Sequence, residues 1–192
     1  MKKIPTLFMR NIESDHKVRD EVTPGCEWVL AGEGRATRKW DGTAILVRDG
    51  YIFKRYEVKK DGMPPMNFEP AQPKDVNTGK QVGWVPLTGD KSEKYILEAV
   101  TTGVPLDGTY ELCGPKVNGN HEQLATHQLI PHGIEEPTAD PRTFESIRDF
   151  LIHCDDDSTI EGIVWWHPDG RRAKIKAKDF GFKRPSERRI SA

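Results

Sequence analysis

The sequence predicts an α+β domain dominated by antiparallel strands. Three observations carry that reading: strand-like segments come in pairs joined by tight turns, a further short strand lies between the pairs, and two short stretches have helical periodicity. Thr43–Arg48 is rich in β-branched residues, Asp49-Gly50 is a hairpin turn, and Tyr51–Val58 returns. A long Pro- and Gly-containing loop is expected over residues 61–90, which hold Pro64, Pro65, Pro70, Pro73 and Pro86. Ser92 to Thr101 places Tyr95, Ile96, Ala99 and Val100 on one helical face. Gly108–Cys113 reads as a short strand. Asp140-Pro141 has the form of an N-cap followed by proline at the first helical position, with Phe144, Ile147 and Leu151 repeating through His153. A second hairpin joins Ile160–Trp166 to Arg172–Ala177 through the turn His167-Pro-Asp-Gly170.

The chain of 192 residues has room for one domain of generous size. Its charged fraction of 31%, hydrophobic fraction of 35% and mean hydropathy of -0.68 argue against wholesale disorder. The net charge of -1 argues against a protein that simply coats DNA. That sum hides an asymmetry. From Arg171 to Arg189 nine basic residues face only Asp179 and Glu187, so this segment is +7 and the remainder is -8. No apolar run approaches the ~20 residues needed to span a bilayer, and no apolar signal core follows the basic N-terminus. Cys26, Cys113 and Cys154 are odd in number and widely spaced, which disfavours a disulfide framework or zinc site. A reducing, cytoplasmic setting is the expectation.

Four short patterns are candidates for chemistry. Lys39-Trp-Asp-Gly42 sits at a strand-to-strand junction, where a lysine presented at a bend becomes a nucleophile if its pKa is lowered. Taken alone it reads as a turn with an exposed lysine. Glu161 lies just inside an apolar strand, Glu161-Gly-Ile-Val164, where a carboxylate is costly unless it is paired or serves a metal. Lys174-Ile-Lys176 puts two ammonium groups on one strand face, where a shared anion is the natural occupant and a solvated face the alternative. Pairing of the second hairpin brings Glu161 and both lysines onto connected strands, an arrangement that suits phosphoryl or nucleotidyl transfer. Glu111, in Tyr110-Glu-Leu112, is placed to accept from a ribose hydroxyl.

In this order the patterns resemble the covalent nucleotidyltransferase superfamily, the ATP-dependent ligases and mRNA capping enzymes. Lys39-Trp40-Asp41-Gly42 matches KxDG, Glu111 the strand glutamate, Glu161-Gly162-Ile163-Val164 matches EGxV, and Lys174-Ile175-Lys176 matches KxK. The gaps from Lys39 to Glu111 to Glu161 to Lys174 are 72, 50 and 13 residues. Within the superfamily the chain resembles small ATP-dependent RNA ligases, including the group with a vertebrate 5′–3′ RNA ligase. Ile4–Arg10, Glu27-Trp-Val29, Gly32-Glu-Gly34, Lys39–Thr43, Gly83-Trp-Val-Pro86 and Leu129-Ile-Pro-His-Gly133 carry this likeness.

The resemblance implies a single nucleotidyltransferase (adenylation) domain over residues 1–192, with antiparallel sheets, flanking helices and a basic C-terminal tail from 177 to 192. Only 16 residues follow Lys176, so the OB domain of DNA ligases and capping enzymes is not expected. It implies ATP as substrate, with Lys39 carrying AMP, and Mg2+ or Mn2+ supported by Glu161. Lys39, Lys174 and Lys176 are the implied catalytic residues. Trp40, Gly42, Arg55, Glu111 and Ile163 are the implied nucleotide contacts, with Glu111 on ribose, Ile163 on adenine and Arg55 on ribose or phosphate. The implied partner is RNA with 5′-phosphate and 3′-hydroxyl ends, sealed by a monomer with no membrane role. The alternatives are a GTP-dependent capping guanylyltransferase and a non-catalytic RNA-binding module.

Other features carry less. His121, His127 and His132 lack the spacing of HExxH, so a zinc-peptidase reading fails. Asp155–Asp157 reads as a solvated turn, and Phe144 as core rather than a base-stacking ring. Trp165 and Trp166 face opposite sides of one strand, so one of them is expected in the core.

Overall fold

The computed structural model describes residues 1–153 and 160–183. Asp155–Asp157 and the tail residues Arg184, Arg188 and Arg189 therefore lie outside the described residues. The architecture is α+β with antiparallel sheets, and the chain divides into two compact units. One comprises Met1–Lys3 and Asp41–His132, the other Ile4–Trp40 and Gly133–Ala192. In chain order the strands are β1 (Phe8–Arg10), β2 (Val18–Val22), β3 (Arg35–Lys39), β4 (Thr43–Arg48), β5 (Tyr51–Val58), β6 (Glu69–Pro70), β7 (Gln81–Pro86), β8 (Gly108–Cys113), β9 (Gln128–Pro131), β10 (Gly162–Trp166) and β11 (Arg172–Lys176). The helices are α1 (Glu27–Leu30), α2 (Lys94–Ala99) and α3 (Phe144–His153).

The Asp41–His132 unit is a six-stranded sheet in the order β6-β7-β5-β4-β8-β9. Asp49 and Gly50 join β4 to β5 with φ of 53° and 75°, the left-handed pair whose twist matches a tight hairpin. Ile45, Val47, Tyr110 and Leu112 bury one face against Ile96 of α2 and Val117. A 3-10 turn, Lys91–Glu93, leads into α2, and Asp90 caps it by accepting from Ser92 N at 2.8 Å. Glu93 is fully buried behind this cap. Its carboxylate accepts from Lys54 Nζ at 2.6 Å and from the N–H groups of Thr88, Gly89 and Asp90. Burial pushes its pKa up, but these donors outweigh that effect and hold it below the usual carboxylate range.

The expected loop over 61–90 is partly sheet. β7 pairs with the length of β5 from Phe53 to Val58 and carries β6 on its other side. Pro86 is tolerated because it ends the strand. Gly83 is required: a Cβ there would come within 2.3 Å of Glu69 O and 2.4 Å of the Phe68 ring.

The Ile4–Trp40 and Gly133–Ala192 unit holds a three-stranded sheet, β11-β10-β3, and the short β1-β2 pair. Leu7, Phe8, Trp28, Val29, Ile147, Leu151, Ile163, Trp165 and Ile175 form its core. Phe144 packs edge-on to Phe8 and Phe180 at 5.0 and 5.2 Å, a core position as expected. The second hairpin forms, with Gly162 opposite Lys176 and Trp166 opposite Arg172. α3 starts later than the Asp140-Pro141 signal predicts. Thr143 caps it, accepting from Ser146 N at 3.2 Å, while Asp140 is taken up by Arg142 at 2.5 Å and Trp165 Nε1 at 3.3 Å.

Candidate active site

The β11-β10-β3 sheet has one core face and one polar face. Opposed residues on neighbouring strands point to the same side. Lys39, Gly162 and Lys176 form one row, and Thr37, Val164 and Lys174 the next. The three sequence-predicted lysines therefore share one face. Glu161, just before β10, is buried between two of them. Its Oε2 accepts from Lys39 Nζ, and its Oε1 lies 3.3 Å from Lys176 Nζ. Lys39 Nζ also donates to Trp40 O at 3.1 Å. Gly162 lets the strands close: a Cβ there would sit 2.0 Å from Ile175 O.

Three ammonium groups and one carboxylate leave this cluster with a formal excess of positive charge. The consequence is visible at Lys174, whose pKa falls from 10.5 to about 8. Burial is the main cause, followed by the charges of Lys39 and Lys176. Burial also lowers the pKa of Lys176, against the pull of Glu161 in the other direction. The end of β11 is pinned by Asp179, whose Oδ2 accepts from Lys176 N at 2.9 Å and whose Oδ1 accepts from Arg10 at 2.5 Å. One assembly of this kind can hold an anion and present an amine beside it.

In the Asp41–His132 unit, Glu111 lies opposite Ala44, and the register Ile45↔Lys54 sets Ala44 beside Arg55, which faces Trp84. Glu111 and Arg55 thus share one sheet face, separated by a small side chain. Arg55 donates to Met1 O and lies 5.1 Å over the Trp84 ring. Glu111 Oε1 accepts from Gly42 N at 3.0 Å, and its Oε2 is 2.7 Å from His132 Nε2. Gly42 is another obligatory glycine, since a Cβ would meet Leu112 O at 2.1 Å. The Asp41-Gly42 turn is moored further. Glu122 Oε1 accepts from Asp41 N at 3.0 Å, and Asn118 Nδ2 donates to Asp41 Oδ1 at 2.9 Å and to Gly42 O at 3.0 Å.

Ile163, expected at the adenine, is fully buried in the core and alternates away from the lysine face. On β10 the lysine face carries Gly162, Val164 and Trp166. Trp40 lies under the Arg38 guanidinium at 4.1 Å. Trp165 is the core tryptophan, as alternation requires, while Trp166 stacks with Arg172 at 4.3 Å. No local sequence signal marks Glu122 or Asn118, and His132 shows only as one of a histidine run and within the Leu129–Gly133 likeness.

Among the described residues no group of three or more His, Cys, Asp or Glu side chains is placed to hold a metal. A metal cage made by the protein is therefore absent from them. A magnesium-like ion needs as few as one carboxylate when phosphates complete its shell, and Glu161 fits that requirement.

The family model described as RNA ligase 1 matches residues 74–191, more than half of the chain. The chain belongs to the RNA ligase 1 family. A curated relative from Danio rerio, RNA ligase 1, is 32% identical over 117 residues, covering 57% of this chain and 36% of its own length. The chain thus spans about a third of that RNA ligase 1 relative. The family match includes Glu111, Glu161, Lys174 and Lys176, whereas Lys39, Trp40, Gly42 and Arg55 precede it. No helix among the described residues is long and apolar enough to cross a membrane.

Proposed function

We propose that this chain is a nucleotidyltransferase-type RNA ligase domain that consumes ATP through an adenylylated Lys39. The observation that carries the reading is the single sheet face bearing Lys39, Lys174 and Lys176 around the buried Glu161. Lys39 Nζ attacks the α-phosphorus of ATP. A nitrogen–phosphorus bond forms, the bond to the pyrophosphate oxygen breaks, and pyrophosphate leaves. The amine attacks after giving up one proton to solvent and releases a second to solvent as the phosphoramidate forms, while Glu161, which accepts from it, holds it in position. Lys174 and Lys176 stabilise the charge on the phosphate oxygens. AMP then passes to an RNA 5′-phosphate, and the 3′-hydroxyl of a second end displaces it to form the phosphodiester. Glu111 accepts from the ribose, and Arg55, on the same sheet face, contacts ribose or phosphate; Trp40 and Gly42 shape the nucleotide's approach. Glu161 would hold Mg2+ or Mn2+, which supplies further positive charge to the phosphates.

The test is incubation of the full chain with Mg2+ or Mn2+ and α-32P-ATP or α-32P-GTP, followed by a denaturing gel. Covalent label from ATP that is lost in Lys39→Ala is the expected result. Label from GTP alone would indicate guanylyl transfer of the capping kind. Folded protein that labels with neither is a binding module, and the ligase reading fails.

A further inference from the structure

We propose that His132 is a positioning residue for nucleotide binding, setting the rotation of the Glu111 carboxylate; this rests on the reading of Glu111 as the ribose acceptor. Both Glu111 oxygens are engaged inside one unit, Oε1 by Gly42 N at 3.0 Å and Oε2 by His132 Nε2 at 2.7 Å. The two side chains are largely buried, at 12% and 14% exposure, so this contact is poorly screened. An ionised carboxylate can only accept, which places the shared proton on Nε2. His132 Nδ1 is buried and has no hydrogen-bond partner. A buried polar atom left unpaired is costly whichever role it has, so the ring is held here by what its other nitrogen does. The His132 backbone is itself fixed, because its N–H donates to Thr109 O at 3.0 Å, on the strand that carries Glu111.

A carboxylate offers about four lone-pair directions. With two occupied by fixed donors, the remaining two point in fixed directions. Glu111 is then prepared for a hydroxyl donor before any ligand arrives, and no side-chain rotation has to be frozen on binding. Truncating His132 releases one of the two anchors and lets the carboxylate turn about the other. The loss falls on recognition of a ribose hydroxyl, not on the amine that attacks.

The experiment compares ATP, 2′-deoxy-ATP and 3′-deoxy-ATP in the wild-type chain, His132→Ala, His132→Asn and His132→Gln. It reads KM and kcat for self-labelling, with nucleotide Kd from calorimetric titration. Loss of one charge-assisted hydrogen bond predicts a rise of about tenfold in KM and Kd for ATP in His132→Ala. For the deoxy analogue that lacks the hydroxyl Glu111 accepts, wild type and His132→Ala should bind alike, and kcat should change little throughout. His132→Gln, whose amide nitrogen takes the place of Nε2, should restore most of the ATP affinity; His132→Asn, which mimics Nδ1, should not. An unchanged ATP affinity in His132→Ala overturns the proposal. So does an equal loss for ATP and both deoxy analogues, which is the mark of a merely structural role. Wild-type protein that binds ATP without labelling overturns the ligase reading alone, and the Kd comparison still decides the role of His132. Wild-type protein that neither labels nor binds overturns both.

Discussion

Lys174 carries the cost of assembling the cation cluster. Its pKa of about 8 in the folded chain lies below the usual 10.5, so the unfolded chain holds that proton more tightly. Its charge therefore opposes folding below about pH 8, and the penalty fades as pH rises from about 8 to 10.5. Lys174→Met is expected to raise the unfolding free energy by roughly 1–3 kcal/mol at pH 7, with the gain vanishing by about pH 10.5. Denaturant unfolding across that range checks the trend, and a destabilised variant at pH 7 would contradict it. The same variant should lose covalent labelling, the trade expected of a residue kept for chemistry. The lysines were readable because period-2 alternation places Lys174 and Lys176 on one face whatever the fold. Alternation does not say which face is core, and the burial of Ile163 on that face was therefore not legible. The partner of His132 is Glu111, 21 residues away, and no local pattern links them.

β10 organises its sheet, since it is the central strand and presents Gly162 between Lys39 and Lys176 in one cross-strand row. Gly162→Ala would drive a methyl into Ile175 O and open the β10–β11 pairing. Strain of this kind typically costs about 1–3 kcal/mol, and the separated lysines should label at least about tenfold more slowly, since displacement of a reacting group by an ångström costs about that or more. A melting curve and a labelling time course on one preparation test this; unchanged labelling would dissociate Gly162 from the site. Both hairpins were legible because their turns carry the residues that left-handed backbone demands, Asp49-Gly50 and Gly170 among them. β3 was not. Arg35–Lys39 has almost no apolar residues, and its strand state comes from pairing with β10, a contact across more than a hundred residues. β7 was hidden by its own Gly83 and Pro86, which serve close approach and strand termination.

At the scale of the whole chain, charge is unevenly distributed, with a +7 segment from Arg171 to Arg189 in a chain of net charge -1. Part of that excess, Lys174 and Lys176, belongs to the candidate site. Arg171 pairs with Asp169 at 2.7 Å and Arg172 stacks on Trp166 at 4.3 Å. Binding of a polyanion to a basic segment weakens steeply with salt as counterions are released. Removal of residues 183–192 is expected to weaken RNA sealing and to flatten its salt dependence while leaving self-labelling near the full-length rate. Sealing and labelling assays between about 50 and 200 mM salt separate the two effects; equal loss of both activities would refute a substrate role for the tail. The α+β class was legible because hairpins and short helices are local. The division into two compact units was not, because each unit is assembled from segments distant in sequence.

Glu161 has one more consequence, best put in the language of ion exchange. It is a tethered counter-ion, bonded to Lys39 on one oxygen and facing Lys176 on the other. The chain can fold with its repelling cations already gathered, without waiting for a ligand to gather them. An incoming phosphate would meet the excess charge of the cluster and would compete with Glu161 for Lys39 and Lys176. Its affinity would then reflect the difference between two sets of ion pairs. Such a site would trade tight holding for turnover, in keeping with the nucleotide transfer proposed for Lys39.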